Sequence, residues 1–185
     1  MKGISLDTVR LKVVWVFLPI LLVFAKPSSS SLLYGVMLSL IGLGIRIWAA
    51  GFINKLNDLA TNGPYAHTRN PLYLGTLTIG LGFSLASNEP LLVLVCLTFF
   101  CSVYVPKILQ EAKELESRFG DQYRSYAKCV PLMFPRYKAY RNELLPDGGS
   151  NGGFSFYRYL ANREWEALLA SVLVFGLLFI KFLTC

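Results

Sequence analysis

The chain has 185 residues, 54% hydrophobic and 16% charged, with a formal net charge of +7. That balance is too apolar for an ordinary soluble domain and makes a lipid bilayer the expected partner of the chain. A single histidine excludes a multi-histidine metal site, Cys96, Cys101, Cys129 and Cys185 lack metal-ligand spacing, and no aromatic-basic stacking module for RNA or DNA is present.

The first apolar run, 13–25, follows Arg10 and Lys12 and ends in Lys26-Pro27 and a serine tract. It is short enough for the core of a secretory signal peptide, but no Ala-x-Ala-like cleavage site follows it and a second apolar run begins almost at once. A retained helix is therefore expected. Further runs cover 31–53, 72–86, 90–109 and 167–183, with Ser87-Asn88-Glu89-Pro90 as a tight turn between the third and fourth. The expected fold is all-α, an integral membrane helical bundle of about five transmembrane helices forming one domain over 1–185. Its core motifs lie in 40–136, a linker in 137–166 contains the glycine-rich stretch 147–153, and the last helix closes the chain.

Of the 18 Lys and Arg residues, 15 fall on the face shared by the amino terminus, the 54–71 loop and the 110–166 segment or at its helix ends. Basic residues in short loops stay on the cytoplasmic side, so this face is expected to be cytoplasmic, and the positive charge reads as topology and attraction to anionic headgroups.

Two polar stretches on that face carry more functional side chains than packing requires. The first runs from Asn62 to Gly75, just ahead of the third apolar run. Its Asn-Gly-Pro opening is a turn, and Asn70-Pro71 reads as N-cap and first helical residue. The positive end of the helix dipole, with Arg69 beside it, suits an anionic group; simple capping and snorkelling of Arg69 to phosphate headgroups is the plainer alternative. The second stretch begins at Lys107, where Lys107, Glu111, Leu115 and Phe119 share one helical face. Glu111 stands at the apolar end of a membrane helix, where a carboxylate is costly to desolvate and is kept for a partner. Pro131 and Pro135 are expected to end the amphipathic helix. Arg46, inside the second run, either lines a pocket or snorkels.

Together the stretches resemble the isoprenylcysteine carboxyl methyltransferase family, related to membrane phospholipid methyltransferases. Gly63, Tyr65, Arg69, Asn70, Pro71, Tyr73 and Gly75 match its first motif. Glu111, Leu115, Phe119, Gly120, Tyr123, Tyr126, Val130 and Pro131 match its second. Ala112 stands where many members have a second glutamate, and Asn70 where eukaryotic members have histidine. The resemblance implies S-adenosyl-L-methionine held on the cytoplasmic side by Tyr65, Asn70, Pro71, Leu72, Tyr73 and Glu111, with Asn57, Asp58, Leu59 and Ala60 adding backbone contacts. Lys107 corresponds to a basic, substrate-contacting position, Arg46 is a second substrate-binding candidate, and Arg69 and Glu111 are the catalytic candidates.

The acceptor implied is lipophilic, an isoprenylcysteine-like carboxylate or a related small lipid. A carboxylate or thiolate needs a cationic anchor, for which Arg69, Lys107 and Arg46 are candidates. A phospholipid amine needs a base, for which Glu111 or Glu114 would serve. An NADPH-dependent sterol-type reductase and a non-enzymatic membrane scaffold are the remaining readings.

Overall fold

The computed structural model describes residues 17–53, 59–141 and 153–184, and every regular element among them is helical. Helix α1 is described over 17–24. It is followed by α2 (Ser29–Phe52), a 3-10 turn (Gly63–Ala66), α3 (Pro71–Ala86), α4 (Pro90–Phe99), a π-helical turn (Phe100–Tyr104) and α5 (Val105–Phe119). Helices α6 (Asp121–Cys129), α7 (Phe156–Ala161) and α8 (Trp165–Thr184) complete the order.

Three described stretches are long and apolar enough to cross a membrane: Ser29–Phe52, the continuous Pro90–Phe119 and Trp165–Thr184. Of the five expected crossings, the third is an apolar helix of 16 residues, shorter than the roughly 20 that a bilayer core requires. The first is described only from residue 17. Leu33, Leu94, Leu173 and Ile180 are more than half exposed, as side chains facing lipid tails would be.

The chain divides into two units, to which α2, α3, α5 and α8 each contribute. The first takes its described residues from Met1–Ile41, Leu77–Leu109 and Leu169–Cys185. Its core is Leu21, Ala25, Ala86, Leu92, Val174 and Leu178. Helices α2 and α3 meet there through small residues, because only these let two backbones approach closely. A Cβ on Gly35 would stand 2.6 Å from the Gly82 carbonyl oxygen. Ser39 Oγ donates to Ile79 O (3.4 Å) and Ser31 Oγ to Ala86 O (3.1 Å). The last carbonyls of α1, at Leu22 and Val23, accept from Lys181 Nζ at 2.6 and 2.9 Å, giving the lysine of α8 a partner.

The π turn has a local cause. Pro106 has no N–H to give to the ladder, and its ring would crowd the carbonyl one turn back. Widening the preceding turn, where Val105 N–H bonds Phe100 O, relieves that crowding.

The second unit comprises Gly42–Thr76 and the described residues of Gln110–Leu168. Its core is Leu59, Tyr123, Tyr126 and Val130, with Ala112, Leu115, Phe119 and Tyr140 packed against it. Contrary to the sequence expectation, the amphipathic segment does not run unbroken to the prolines. It ends at Phe119 and restarts at Asp121, because Gly120 takes φ 53°, a conformation natural only to glycine. Pro131 then follows the end of α6. Of the glycine-rich linker, 147–152 lie outside the described residues.

Candidate functional site

The polar chemistry of the second unit is gathered around the approach to α3. Gly63 turns the chain with φ +57°, and a Cβ there would stand 2.7 Å from the Phe52 ring. The following 3-10 turn buries Tyr65 at 6% exposure. Residues 66–70 are then held from outside by the segment 131–140. Arg69 N–H donates to Pro131 O (3.0 Å), Arg136 N–H to His67 O (2.9 Å) and Tyr140 N–H to Ala66 O (2.9 Å). Thr68 Oγ1 donates to Met133 O (2.9 Å) and His67 Nδ1–H to Arg136 O (2.8 Å).

Helix α3 starts at Pro71, where proline loses nothing by having no N–H. Asn70 stands just before it, and its carbonyl accepts from Leu74 N–H (3.0 Å). Its side-chain amide is spent on the 131–140 segment, donating to Leu132 O (2.9 Å). Asn70 thus anchors the loop as well as opening the helix.

Tyr73, on the first turn of α3, donates its hydroxyl to Glu111 Oε1 on α5 at 2.7 Å. This bond joins the two motifs directly, and its length is that of a hydroxyl meeting a carboxylate. Arg69 Nη1 donates to Tyr123 Oη (3.2 Å), and Tyr126 Oη donates to the Tyr65 carbonyl (2.7 Å). Burial pushes the Tyr65 phenol far above its ordinary range, and neighbouring Tyr126, Glu164 and Glu111 push the same way. Burial likewise raises Tyr126. Both phenols stay protonated at any physiological pH.

Arg46 is held within the second unit by an ion pair and two hydrogen bonds. Its Nη2 meets Glu164 Oε2 at 2.5 Å, and its Nη1 donates to Thr76 Oγ1 and to Leu72 O (3.4 Å). Gly75 makes this possible, since a Cβ there would stand 2.6 Å from Arg46 Cγ. Glu164 is positioned by the α7–α8 turn, in which Asn162 Nδ2 donates to Ala50 O (3.1 Å), in the last turn of α2, and to Ile53 O (3.5 Å), just beyond it. Sequence analysis placed no site residue in this turn and missed both Asn162 and Glu164. The available signal was Arg46 itself, because an arginine inside an apolar helix calls for an acidic partner, and Glu164 and Glu166 lie just ahead of the apolar run 167–183.

Tyr73, Glu111, Arg69, Tyr65, Leu72, Pro71 and Arg46 are thus all in the second unit. Leu59 is buried against Tyr123, Tyr126 and Val130 and Ala60 is half-buried, whereas Asn57 and Asp58 lie outside the described residues. Lys107, half-buried on α5 one turn before Glu111, belongs to the first unit. Among the described residues no cluster of three or more His, Cys, Asp or Glu could hold a metal ion. Three buried side-chain polar atoms have no hydrogen-bond partner among the described residues: Tyr65 Oη, Arg69 Nε and Arg46 Nε. Such atoms are rare in finished interiors; all three belong to the unit that holds the Glu111 carboxylate, a set of groups that suits a polar ligand bearing both signs of charge.

Residues 30–122 match the family model for phospholipid methyltransferase. The chain is 31% identical over 138 residues to the nickel-cobalt-cadmium resistance protein NccN of Alcaligenes xylosoxydans xylosoxydans, covering 71% of this chain and 59% of the relative. It is 35% identical over 136 residues to the cobalt-zinc-cadmium resistance protein CzcN of Cupriavidus metallidurans, covering 71% and 58%. A shorter match, 33% over 82 residues, is to the protein-S-isoprenylcysteine O-methyltransferase of Schizosaccharomyces pombe and covers 44% of this chain and 35% of that enzyme. The chain thus spans about three-fifths of the length of the two bacterial relatives. No solved structure matches it significantly.

Proposed function

As the chain belongs to the phospholipid methyltransferase family, we propose that it transfers a methyl group from S-adenosylmethionine to a lipophilic acceptor at the cytoplasmic surface of a membrane. The observation that carries this reading is the 2.7 Å bond from Tyr73 to Glu111, which ties the start of α3 to α5 and fixes a carboxylate in the unit that also holds buried side-chain donors without partners. S-adenosylmethionine supplies a methyl group on a cationic sulfur, ready for attack by a nucleophile.

The residues present fit such a ligand. Glu111 offers negative charge to its cationic groups, while Tyr73 holds that carboxylate in one orientation. Arg69, with Nη1 on Tyr123 and Nε buried and unpartnered, offers positive charge to its carboxylate at the dipole-positive start of α3. Tyr65, kept protonated by burial, offers a hydroxyl. Leu72 and Pro71 supply apolar surface. What the protein contributes to the reaction is alignment, which can be worth about 7–11 kcal/mol when two reactants are held in line. No strong base is needed where the acceptor is already anionic.

The acceptor we favour is a lipid-borne carboxylate of the isoprenylcysteine kind, with the amine of a phospholipid as the second reading, since the matching family is that of phospholipid methyltransferases and one relative is an isoprenylcysteine O-methyltransferase. Resistance to nickel, cobalt, zinc or cadmium is what the two bacterial relatives are named for; a membrane lipid altered by methylation is one route by which such an enzyme would serve it.

The test is titration calorimetry of the detergent-purified chain with S-adenosylhomocysteine, with NADPH as rival ligand. Saturable binding of the first and none of the second is expected, together with its loss in Glu111→Ala. NADPH binding alone would move the assignment to a reductase, and binding of neither by folded protein would remove the enzyme reading.

A further inference from the structure

We propose that Arg46 and Tyr65 form a carboxylate-binding subsite beside the first turn of α3, and that Glu164 is the chain's own carboxylate competing for it. The purpose assigned to the subsite rests on the methyl-transfer reading above.

The pairing of Arg46 is incomplete in a specific way. Its side chain is 20% exposed and that of Glu164 only 9%, so this is a sequestered pair and not a surface contact. One end of the guanidinium is fixed to α3 by Leu72 O and Thr76. The side edge of the fork presents Nη2 and Nε together, and a carboxylate docking squarely there takes both donors. Glu164 takes only Nη2, while Nε is buried without a partner among the described residues.

Tyr65 supplies the second donor. Its hydroxyl is also buried and unpartnered, and it lies within electrostatic reach of Glu164, Glu111 and Arg46. An entering carboxylate would find two unused donors in a partly desolvated site. Glu164, carried on the turn between α7 and α8 and not within a helix, is the group that must share or yield its hold. Glu164 therefore sets how strongly an anion is accepted.

The carboxylate is either that of the acceptor or that of the cofactor, which this subsite would then share with Arg69, since Leu72 belongs to the segment assigned to the cofactor. Both predict the same mutant and differ in the probe. The full chain in a neutral maltoside detergent is titrated with S-adenosylhomocysteine, its decarboxylated analogue, dodecanoate and dodecanol, as wild type and as Glu164→Gln.

Glu164→Gln keeps size and hydrogen bonding but leaves the Arg46 charge buried without a counterion. It is expected to bind a carboxylate probe about tenfold more tightly than wild type does, to gain more thermal stability from that probe, and to show no gain with the partner probe lacking the carboxylate. A further Tyr65→Phe change should reverse the gain. A gain on S-adenosylhomocysteine but not on its decarboxylated analogue assigns the subsite to the cofactor; a gain on dodecanoate but not on dodecanol assigns it to the acceptor.

Equal or weaker binding of both carboxylates by folded Glu164→Gln overturns the proposal. Should that variant not fold, Glu164→Asp decides in its place: the shorter acid draws back from Arg46, so a smaller gain supports the subsite and none refutes it. Wild-type protein that ignores S-adenosylhomocysteine while the variant gains on dodecanoate would sink the methyl-transfer reading and leave the subsite standing.

Discussion

Replacing Tyr73 by phenylalanine removes one hydroxyl and leaves the ring. The lost interaction is the 2.7 Å bond to Glu111 Oε1, and hydrogen bonds to charged groups contribute roughly 1.5–3 kcal/mol. Both side chains are half-buried, so water can take over part of the role of the hydroxyl, and the lower end, about 1.5 kcal/mol, is the appropriate figure. If the bond serves to hold Glu111 ready for a cationic ligand, that loss appears as an approximately tenfold weaker affinity for S-adenosylhomocysteine. Calorimetry on wild type, Tyr73→Phe, Glu111→Gln and the double variant closes a thermodynamic cycle. The two changes should be non-additive by about 1 kcal/mol or more, because each removes the same contact. Wild-type affinity in folded Tyr73→Phe, or strictly additive losses, would show that the bond does not organise the site.

Gly120→Ala should lower the melting temperature by an amount corresponding to about 1–3 kcal/mol. Open space surrounds that position, so the penalty is that of φ 53° alone. Tyr126→Phe should cost about 1–3 kcal/mol in thermal unfolding, by leaving the buried Tyr65 carbonyl without its donor. Because the phenols of Tyr65 and Tyr126 are raised by burial, the unfolded chain releases those protons first. The stability they confer is complete below the unfolded value of about 10 and declines as pH rises past it. A melting-temperature profile carried into that alkaline range should flatten when both are phenylalanine. Lys113→Ala, on an exposed side chain, should leave affinity unchanged and stability within about 0.5 kcal/mol.

The helices were legible because apolar runs of the right length, punctuated by Pro71 and Pro90, leave few alternatives to helix. The joint at Gly120 was not, since an isolated glycine in a helical pattern can be tolerated at a cost of about 1 kcal/mol and does not by itself mark a break. Nor was the π turn, whose cause, Pro106, sits inside an otherwise continuous run. Tyr73 and Glu111 stood out by motif, but their direct bond is a matter of three-dimensional packing. The Arg46–Glu164 pair spans 118 positions, far beyond any local period. The lacing of 66–70 onto 131–140 runs largely through backbone donors and acceptors, and every sequence has those.

That lacing has a consequence for biogenesis. The amide of Asn70 waits for a carbonyl 62 positions later, and the hydroxyl of Thr68 for one 65 later. At about 5–20 residues per second, the ribosome delivers those acceptors several seconds after the loop itself has emerged. During that interval the intervening hairpin must be accommodated in the bilayer while the loop is still solvated. Closure of the 66–70 loop is therefore a late event, and a nascent chain arrested at position 130 would carry its first apolar helices yet lack the carbonyls that hold that loop.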